Sequence, residues 1–202
     1  ARALEELRKI GSKWIVTDFL TLGSPLSHAD FLMAYDEEEL HTMQDIRQFS
    51  TCPPTMEYDM TTRQGHFAYR DPRSRKKDRG RIPHHGAAFG FTRWTNIYSP
   101  RKWLIFGDVV SGPVGPQFGL NVRDAKTGAT SKLSGIRDLA VLPERTEDGE
   151  VKPGHSVPFM THTRYWDMTA NTGAPSGTAG IPHHIETLRR ALNVLRKQAG
   201  EE

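Results

Sequence analysis

Two residues of this sequence form a combination used in nucleophilic catalysis: a carboxylate, and an imidazole further along the chain. Asp108 follows a strand-like apolar stretch, and His162 lies 54 residues later. A nucleophilic hydroxyl needs an imidazole to accept its proton. That imidazole needs a carboxylate to fix its tautomer and stabilise its charged form. The carboxylate and the imidazole therefore occur in the order of the second half of a nucleophile, acid and base arrangement, with Asp108 before His162.

Each of these side chains also has a structural interpretation. Asp108 follows a glycine and could cap a turn, and His162 lies between two threonines and could be a hydrogen-bonded structural histidine. Asp124, Asp138 and Glu144 are competing carboxylates. The residues alone leave both alternatives open.

Four short strings occur in order along the chain: T-L-G-S-P-L at 21–26, W-T-N-I-Y-S-P at 94–100, G-D-V-V-S-G-P-V at 107–114 and H-T-R-Y-W at 162–166. Together they resemble the C-terminal half of lipase- or esterase-like α/β-hydrolases. In that family a T-L-G-S-P-L type strand end follows the nucleophile helix, a W-x-N-x-Y-x-P type strand precedes the acid, and an H-x-x-Y-W type string carries the base. The resemblance implies a partial α/β-hydrolase-like parallel sheet flanked by helices, in a serine hydrolase that cleaves acyl esters with Asp108 as the acid and His162 as the base.

The nucleophile of such a site is unknown from this sequence. The family's G-x-S-x-G elbow would precede Thr21, and the sequence contains no such pattern. Ser24 lies in a Gly-Ser-Pro string, which is typical of a turn. We therefore expect the Asp/His half of a hydrolase, whose hydroxyl comes from an upstream segment or a partner chain. The alternative is a non-catalytic hydrolase-like scaffold or interaction module that a partner subunit completes.

Hydrophobic patterns predict the elements that must position these residues. Strands are expected at 14–22, 91–98, 103–106 and 136–142, because these stretches are apolar and rich in β-branched or aromatic residues. Helices are expected at 1–10, 30–40 and 185–195, and the stripe of the last one predicts packing onto a sheet or another helix. We divide the chain into core residues 1–40, an irregular insertion or cap at 41–90, core strands with the acid and base loops at 91–170, and a linker with the C-terminal helix at 171–202.

Composition narrows the class of protein. The chain has 202 residues, of which 36% are hydrophobic, and its four Trp, nine Phe and five Tyr can fill a core, which excludes a wholly disordered chain. Its longest apolar runs are strand-sized, so we expect no transmembrane segment. One cysteine, Cys52, cannot form an intrachain disulfide, which favours a reducing, cytoplasmic compartment.

Two further features suggest other ligands. The string Ile-Pro-His-His occurs at 82–85 and at 181–184, and imidazole pairs could bind zinc, but no Cys-x-x-Cys or His-Glu-x-x-His pattern supports a metal site. Residues 70–81 hold seven Lys or Arg against two Asp, a run that could bind phosphates but lacks interleaved aromatic residues. We expect no cofactor and no metal, a small acyl-ester or lipid-like substrate, and no nucleic acid.

Overall fold

The fold combines one three-stranded sheet with short antiparallel hairpins and short helices. The computed structural model describes residues 5, 8–9, 11, 16–61, 63–70, 81–101, 108–123, 126–141, 162, 165–166 and 183–192. Its strands are β1 Asp18–Leu22, β2 Glu57–Asp59, β3 Gln64–His66, β4 Ala68–Arg70, β5 Arg81–Pro83, β6 Arg93–Tyr98, β7 Leu120–Arg123, β8 Thr130–Leu133 and β9 Ile136–Ala140. Its α-helices are α1 Ala29–Leu32, α2 Glu37–Asp45, α3 Gly115–Phe118 and α4 His183–Ala191.

The central sheet has the order β1-β6-β9, with β6 in the middle. The strands run parallel: the Arg93 amide donates to the Thr17 carbonyl, and the Gly23 amide donates to the Ile97 carbonyl, so partner numbers rise together. Four consecutive residues of β6, 94–97, are buried, as is typical of a central strand in a parallel sheet. The prediction of a mixed α/β protein with a parallel sheet is therefore confirmed.

The chain folds into two compact units. Each unit is assembled from stretches that are distant in sequence. The first unit comprises 1–19, 29–94 and 115–137, and the second comprises 20–28, 95–114 and 138–202.

The core of the second unit joins the sheet to the C-terminal helix. Ile97, Val141, Tyr165 and Leu188 are buried together. Burying an aliphatic side chain of this size contributes about 1.5–3 kcal/mol. Because Leu188 lies on α4, the predicted packing of the helical stripe onto the sheet is confirmed. Partly buried residues that pack against this cluster are Leu20, Leu22, Leu139 and Ala191.

The first unit contains an aromatic cluster around Trp94. The indole is 4% exposed, and its ring centroid lies 5.3 Å from that of Phe19, 5.2 Å from that of Phe89 and 5.7 Å from that of Phe118. Aromatic pairs at such spacing stabilise a core beyond their buried area, by about 0.5–1.5 kcal/mol per pair. Aromatic packing therefore stabilises the amino ends of β1 and β6, where Phe19 and Trp94 lie.

The helix expected at 30–40 is two helices. The first helix, α1, ends at Leu32. The second, α2, begins after Asp36, its N-cap, whose carboxylate accepts a 2.8 Å hydrogen bond from the Glu39 amide. A capping carboxylate satisfies a free helix amide and favours a start at that point. Within the ranges that the structure describes, no helix has both the length and the apolar character needed to cross a membrane.

The segment 41–90 differs from the irregular stretch that was expected. It contains the end of α2 and two antiparallel hairpins, β2–β3 and β4–β5. A third hairpin, β7–β8, was not predicted at all. Strands of three or four residues are too short for alternating hydrophobicity to be recognised. The strand expected at 103–106 lies outside the described residues, as do most of the helix at 1–10 and the last turn of the C-terminal helix.

Candidate acid–base site

The structure brings the two predicted site residues together. Asp108 Oδ2 lies 3.0 Å from His162 Nδ1, although the residues are 54 positions apart. The aspartate is 1% exposed, whereas the histidine side chain retains 37% of its accessible surface. A buried carboxylate thus holds one nitrogen of a ring that is itself open to solvent.

The Asp108 carboxylate is held on both of its oxygens. The backbone amides of Val110 and Ser111 donate to Oδ1 at 2.9 and 3.2 Å, which forms a tight local turn. The Ser111 hydroxyl donates to Oδ2 at 2.6 Å, and the Tyr165 hydroxyl donates to Oδ2 at 2.8 Å. The Asp108 side chain therefore has a single well-defined orientation toward the His162 ring.

These contacts keep Asp108 ionised. Burial by itself would raise the pKa of this carboxyl group. Hydrogen bonds from Ser111, His162, Tyr165 and the Val110 amide outweigh burial and hold the pKa below its ordinary value. An ionised carboxylate can only accept hydrogen bonds, so Nδ1 of His162 must be the donor in their contact. In the neutral ring Nε2 then carries no proton, and it can accept one.

Tyr165 links the carboxylate to the carboxyl end of β6. Its hydroxyl accepts a 2.8 Å hydrogen bond from the amide of Ser99, the residue that follows β6, and lies 2.9 Å from the Ser111 hydroxyl. Burial, reinforced by the hydrogen bond to Asp108 and by its charge, raises the pKa of Tyr165 above its ordinary value. The phenol therefore stays protonated and remains a donor to the carboxylate.

The Tyr165 ring also covers the residue that follows β1. Gly23 has a φ of +60°, and a Cβ atom built on it would lie 2.4 Å from Cε2 of the Tyr165 ring. Only glycine allows both this backbone conformation and this close approach. The acid–base pair is thus tied, through one tyrosine, to the carboxyl ends of two neighbouring parallel strands, where ligands bind in open α/β sheets.

Asn96 anchors the loop that follows the acid. Its buried Nδ2 donates to the carbonyl of Gly112 at 2.9 Å and to Asp138 Oδ1 at 2.7 Å, while its Oδ1 accepts from the Thr21 hydroxyl at 2.9 Å. The Val114 amide donates to the same Asp138 oxygen at 2.8 Å. Asp138, one of the competing carboxylates, therefore has a structural position, and Asp108 is the carboxylate that faces His162.

The remaining candidates from the sequence are not part of this pair. Ser24 is buried in a turn, where its hydroxyl accepts a 3.3 Å hydrogen bond from the Leu26 amide. Asp124 and Glu144 lie outside the described residues. His84 is buried and stacks on Tyr69 with ring centroids 5.3 Å apart. In the part of the chain that the structure describes, no three or more His, Cys, Asp or Glu side chains are grouped to hold a metal ion.

Sequence reasoning did not assign roles to Ser111 and Tyr165, although both lie in the strings that suggested the site. Each stands three positions after a predicted site residue, Ser111 after Asp108 and Tyr165 after His162. In a turn of helix or tight loop, residues three apart return to the same side. That spacing was a usable signal for hydroxyl groups beside the pair.

The comparisons with known proteins identify no family. No family model, no curated protein and no solved structure matches this chain. The chemistry of the site therefore rests on its geometry. A buried, ionised carboxylate that orients a half-buried imidazole is an arrangement that can act as a general base toward a hydroxyl group or water.

Proposed function

We propose that Asp108 and His162 are the acid and base of an α/β-hydrolase-like serine hydrolase that cleaves small acyl esters or lipid-like esters. The observation that carries this proposal is the 3.0 Å contact between His162 Nδ1 and the buried Asp108 carboxylate. The parallel sheet and the position of the Tyr165 network beside the ends of β1 and β6 support the family resemblance, because triad residues of such hydrolases follow sheet strands.

In this mechanism His162 Nε2 takes the proton of a serine hydroxyl as the oxygen attacks the ester carbonyl. The tetrahedral intermediate collapses when the imidazolium gives that proton to the leaving alcohol, and the serine retains the acyl group. Nε2 then deprotonates a water molecule, which releases the carboxylic acid and regenerates the hydroxyl. Asp108 stays ionised throughout and stabilises the imidazolium that forms in each half-reaction.

In this proposal the nucleophile is a serine of an upstream segment or of a partner chain, as the family resemblance implies. Ser111 is close to the pair but donates its proton to the Asp108 carboxylate rather than to the imidazole. Ser24 accepts a backbone hydrogen bond within its turn. Neither hydroxyl has the contact with Nε2 that a nucleophile requires. We place the protein in the cytoplasm, in keeping with its single thiol, Cys52.

The test uses the natural full-length protein, a fluorophosphonate probe and a series of p-nitrophenyl esters of increasing acyl length. The wild type should be labelled on one serine, which peptide mass spectrometry identifies. His162→Ala should lower kcat/KM by about 10³-fold or more and slow labelling similarly. His28→Ala is the matched control, because His28 is an exposed histidine of the same unit, and it should leave both rates unchanged.

A wild-type protein that takes no label, with ester turnover that is indifferent to His162→Ala, would eliminate the enzyme. The alternative, a non-catalytic scaffold completed by a partner subunit, would then be favoured. It predicts that the unlabelled protein associates with itself or with another subunit in sedimentation.

A further inference from the structure

An open surface pocket in the first unit lies among residues that the proposed hydrolase chemistry does not use. It has a volume of about 580 Å³, within the range of small-molecule sites. The β2–β3 and β4–β5 hairpins provide most of its lining, together with one residue that follows α2. The residues on which its chemistry depends are Arg47, Tyr58, Asp59, Met60, Arg70 and Arg81.

Two arginines of this pocket share one carboxylate oxygen. Arg70 Nη2 and Arg81 Nη2 lie 2.9 and 2.6 Å from Asp59 Oδ2, and the Asp59 side chain is 8% exposed. The Thr61 amide donates to the other oxygen at 2.9 Å. Among the described residues, one negative charge therefore faces two guanidinium groups, so the group of Asp59, Arg70 and Arg81 has a net charge of +1. An anion bound in the pocket would compensate it.

A third arginine has unsatisfied hydrogen-bonding capacity. Arg47 pairs with Glu57 at 3.0 Å, yet its buried Nε has no hydrogen-bond partner among the described residues. Its φ of 64° is the left-handed conformation that ends helix α2, where the Arg47 and Gln48 amides donate to the carbonyls of Gln44 and Met43. A buried donor without a partner is costly unless a ligand satisfies it.

The hairpin register places positive charge at the pocket from both ends of the basic run. Arg70 and Arg81 are paired residues of β4 and β5. The pocket itself also offers apolar surface, because Tyr58 is 62% and Met60 is 80% exposed. The ligand should therefore combine an anionic group with an apolar body.

We propose that this pocket binds the phosphate group of a small phosphate monoester, with the apolar body of the ester against Tyr58 and Met60. Guanidinium groups match phosphate geometry through paired N–H donors, and phosphate carries more charge and more acceptor oxygens than a carboxylate. Arg70 is the most accessible of the three arginines, with 62% of its side-chain surface exposed, and Arg81 and Arg47 are the more deeply buried donors. This proposal is independent of the ester-hydrolysis proposal.

The test is calorimetric titration of the full-length protein with phenyl phosphate, inorganic phosphate and benzoate. Phenyl phosphate should bind most tightly. Arg70→Gln should weaken phenyl phosphate binding at least tenfold, because this exposed arginine can be replaced without disturbing the buried Asp59–Arg81 contact. Arg93→Gln is the matched control: Arg93 is an exposed arginine of the same unit that pairs with Asp18, outside the pocket, and its loss should change nothing.

A second variant tests the apolar half of the proposal. Tyr58→Ser should reduce the affinity for phenyl phosphate to that for inorganic phosphate and leave the affinity for inorganic phosphate unchanged. Tighter binding of benzoate than of phenyl phosphate would overturn the assignment to phosphate. Saturable binding that Arg70→Gln does not weaken, or no saturable binding at all, would overturn the site.

Nucleic acid is the remaining outcome. An oligonucleotide that binds more tightly than phenyl phosphate, and loses its affinity when Arg73, Arg75, Lys76 and Lys77 are neutralised together, would replace the small ligand with a polyanion. Such binding would also weaken steeply with added salt, because several phosphates would release counterions. Ester turnover is measured in the same preparations. A loss of phosphate binding with unchanged turnover, or the reverse, then shows which of the two proposals fails.

Discussion

The Tyr165 hydroxyl donates a 2.8 Å hydrogen bond to Asp108 Oδ2. At the same time it accepts one of 2.8 Å from the amide of Ser99, at the end of β6. Because the backbone donor fills an acceptor site of the phenol, the phenolic proton is directed at the carboxylate. Tyr165 is thus a positioning residue, through which the rigid end of the central strand controls the direction of Asp108 and, through Asp108, the orientation of the His162 ring.

Tyr165→Phe should separate this positioning role from simple packing. The phenylalanine ring keeps the contacts with Ile97, Val141 and Leu188, but one donor to the carboxylate is lost. A hydrogen bond to a charged group contributes about 1.5–3 kcal/mol, so the free energy of unfolding should fall by about that amount in chemical denaturation. Ester turnover should fall mainly in kcat, by roughly tenfold to a hundredfold. Unchanged kcat with lowered stability would show that the tyrosine only packs.

The free energy of unfolding should depend on pH through the ionisation of Asp108. Burial opposes ionisation, but the hydrogen bonds from Ser111, His162, Tyr165 and Val110 depress the pKa below its ordinary value, 3.8. The stabilisation is therefore fully present above that value and is lost as pH falls through the lower pKa of the folded state. Urea titrations from pH 7 to pH 2 should show the difference in unfolding free energy between wild type and Asp108→Asn holding constant and then shrinking below about pH 4. A difference that grows with acidity would contradict this sign.

Asn96→Ala should disturb the acid loop as well as the sheet. The buried amide joins Thr21, Gly112 and Asp138, and its removal takes one hydrogen bond from each of these partners. A lost hydrogen bond costs about 1 kcal/mol, so we expect a loss of about 3 kcal/mol in thermal or chemical unfolding. Asn121→Ala, on the partly exposed strand β7, is the control and should change stability by less than about 0.5 kcal/mol. Equal effects of the two variants would exclude a special role for Asn96.

Gly23→Ala should be more damaging than the same change at Gly11. Both glycines have a positive φ, but a Cβ atom at Gly11 has nothing within 4 Å, whereas one at Gly23 would collide with the Tyr165 ring. Gly11→Ala should therefore show only the backbone cost of about 1 kcal/mol. Gly23→Ala should add a displacement of Tyr165, visible as lower ester turnover and as a changed tyrosine signal in near-ultraviolet circular dichroism. Equal losses of stability in the two variants would show that the Tyr165 ring moves to accommodate the new methyl group without cost.

Cys52 should be unreactive until the first unit unfolds. The thiol is 2% exposed, and burial raises its pKa from 9.0 to about 11. Because only the thiolate reacts, this higher pKa lowers the reactive fraction at pH 8 by about 100-fold, and iodoacetamide should label the native protein at least that much more slowly than the urea-unfolded chain. Mass spectrometry follows the labelling. Rapid labelling under native conditions would show that this part of the core opens readily.

Local patterns predicted the elements that are long enough to display a period. The strands β1, β6 and β9 were recognisable as runs of apolar residues, and α4 was recognisable from the helical spacing of its apolar residues. The hairpins from β2 to β5 and β7–β8 were not, because three- and four-residue strands form through cross-strand pairing rather than through a pattern of their own. The break between α1 and α2 depended on the Asp36 cap.

Residue types and their order, together with the family resemblance, nominated Asp108 and His162, because acid–base chemistry requires a carboxylate and an imidazole. Which carboxylate meets the imidazole was decided in three dimensions. Asp138 is the same residue type, but its carboxylate accepts hydrogen bonds from Asn96 and Val114. The Asp108 carboxylate, by contrast, is oriented toward His162 by hydrogen bonds from Ser111 and Tyr165. Parallel strands bring distant loops to one edge of a sheet, and the hydrogen bonds made there assign each side chain its partner; a linear pattern carries no information about that choice.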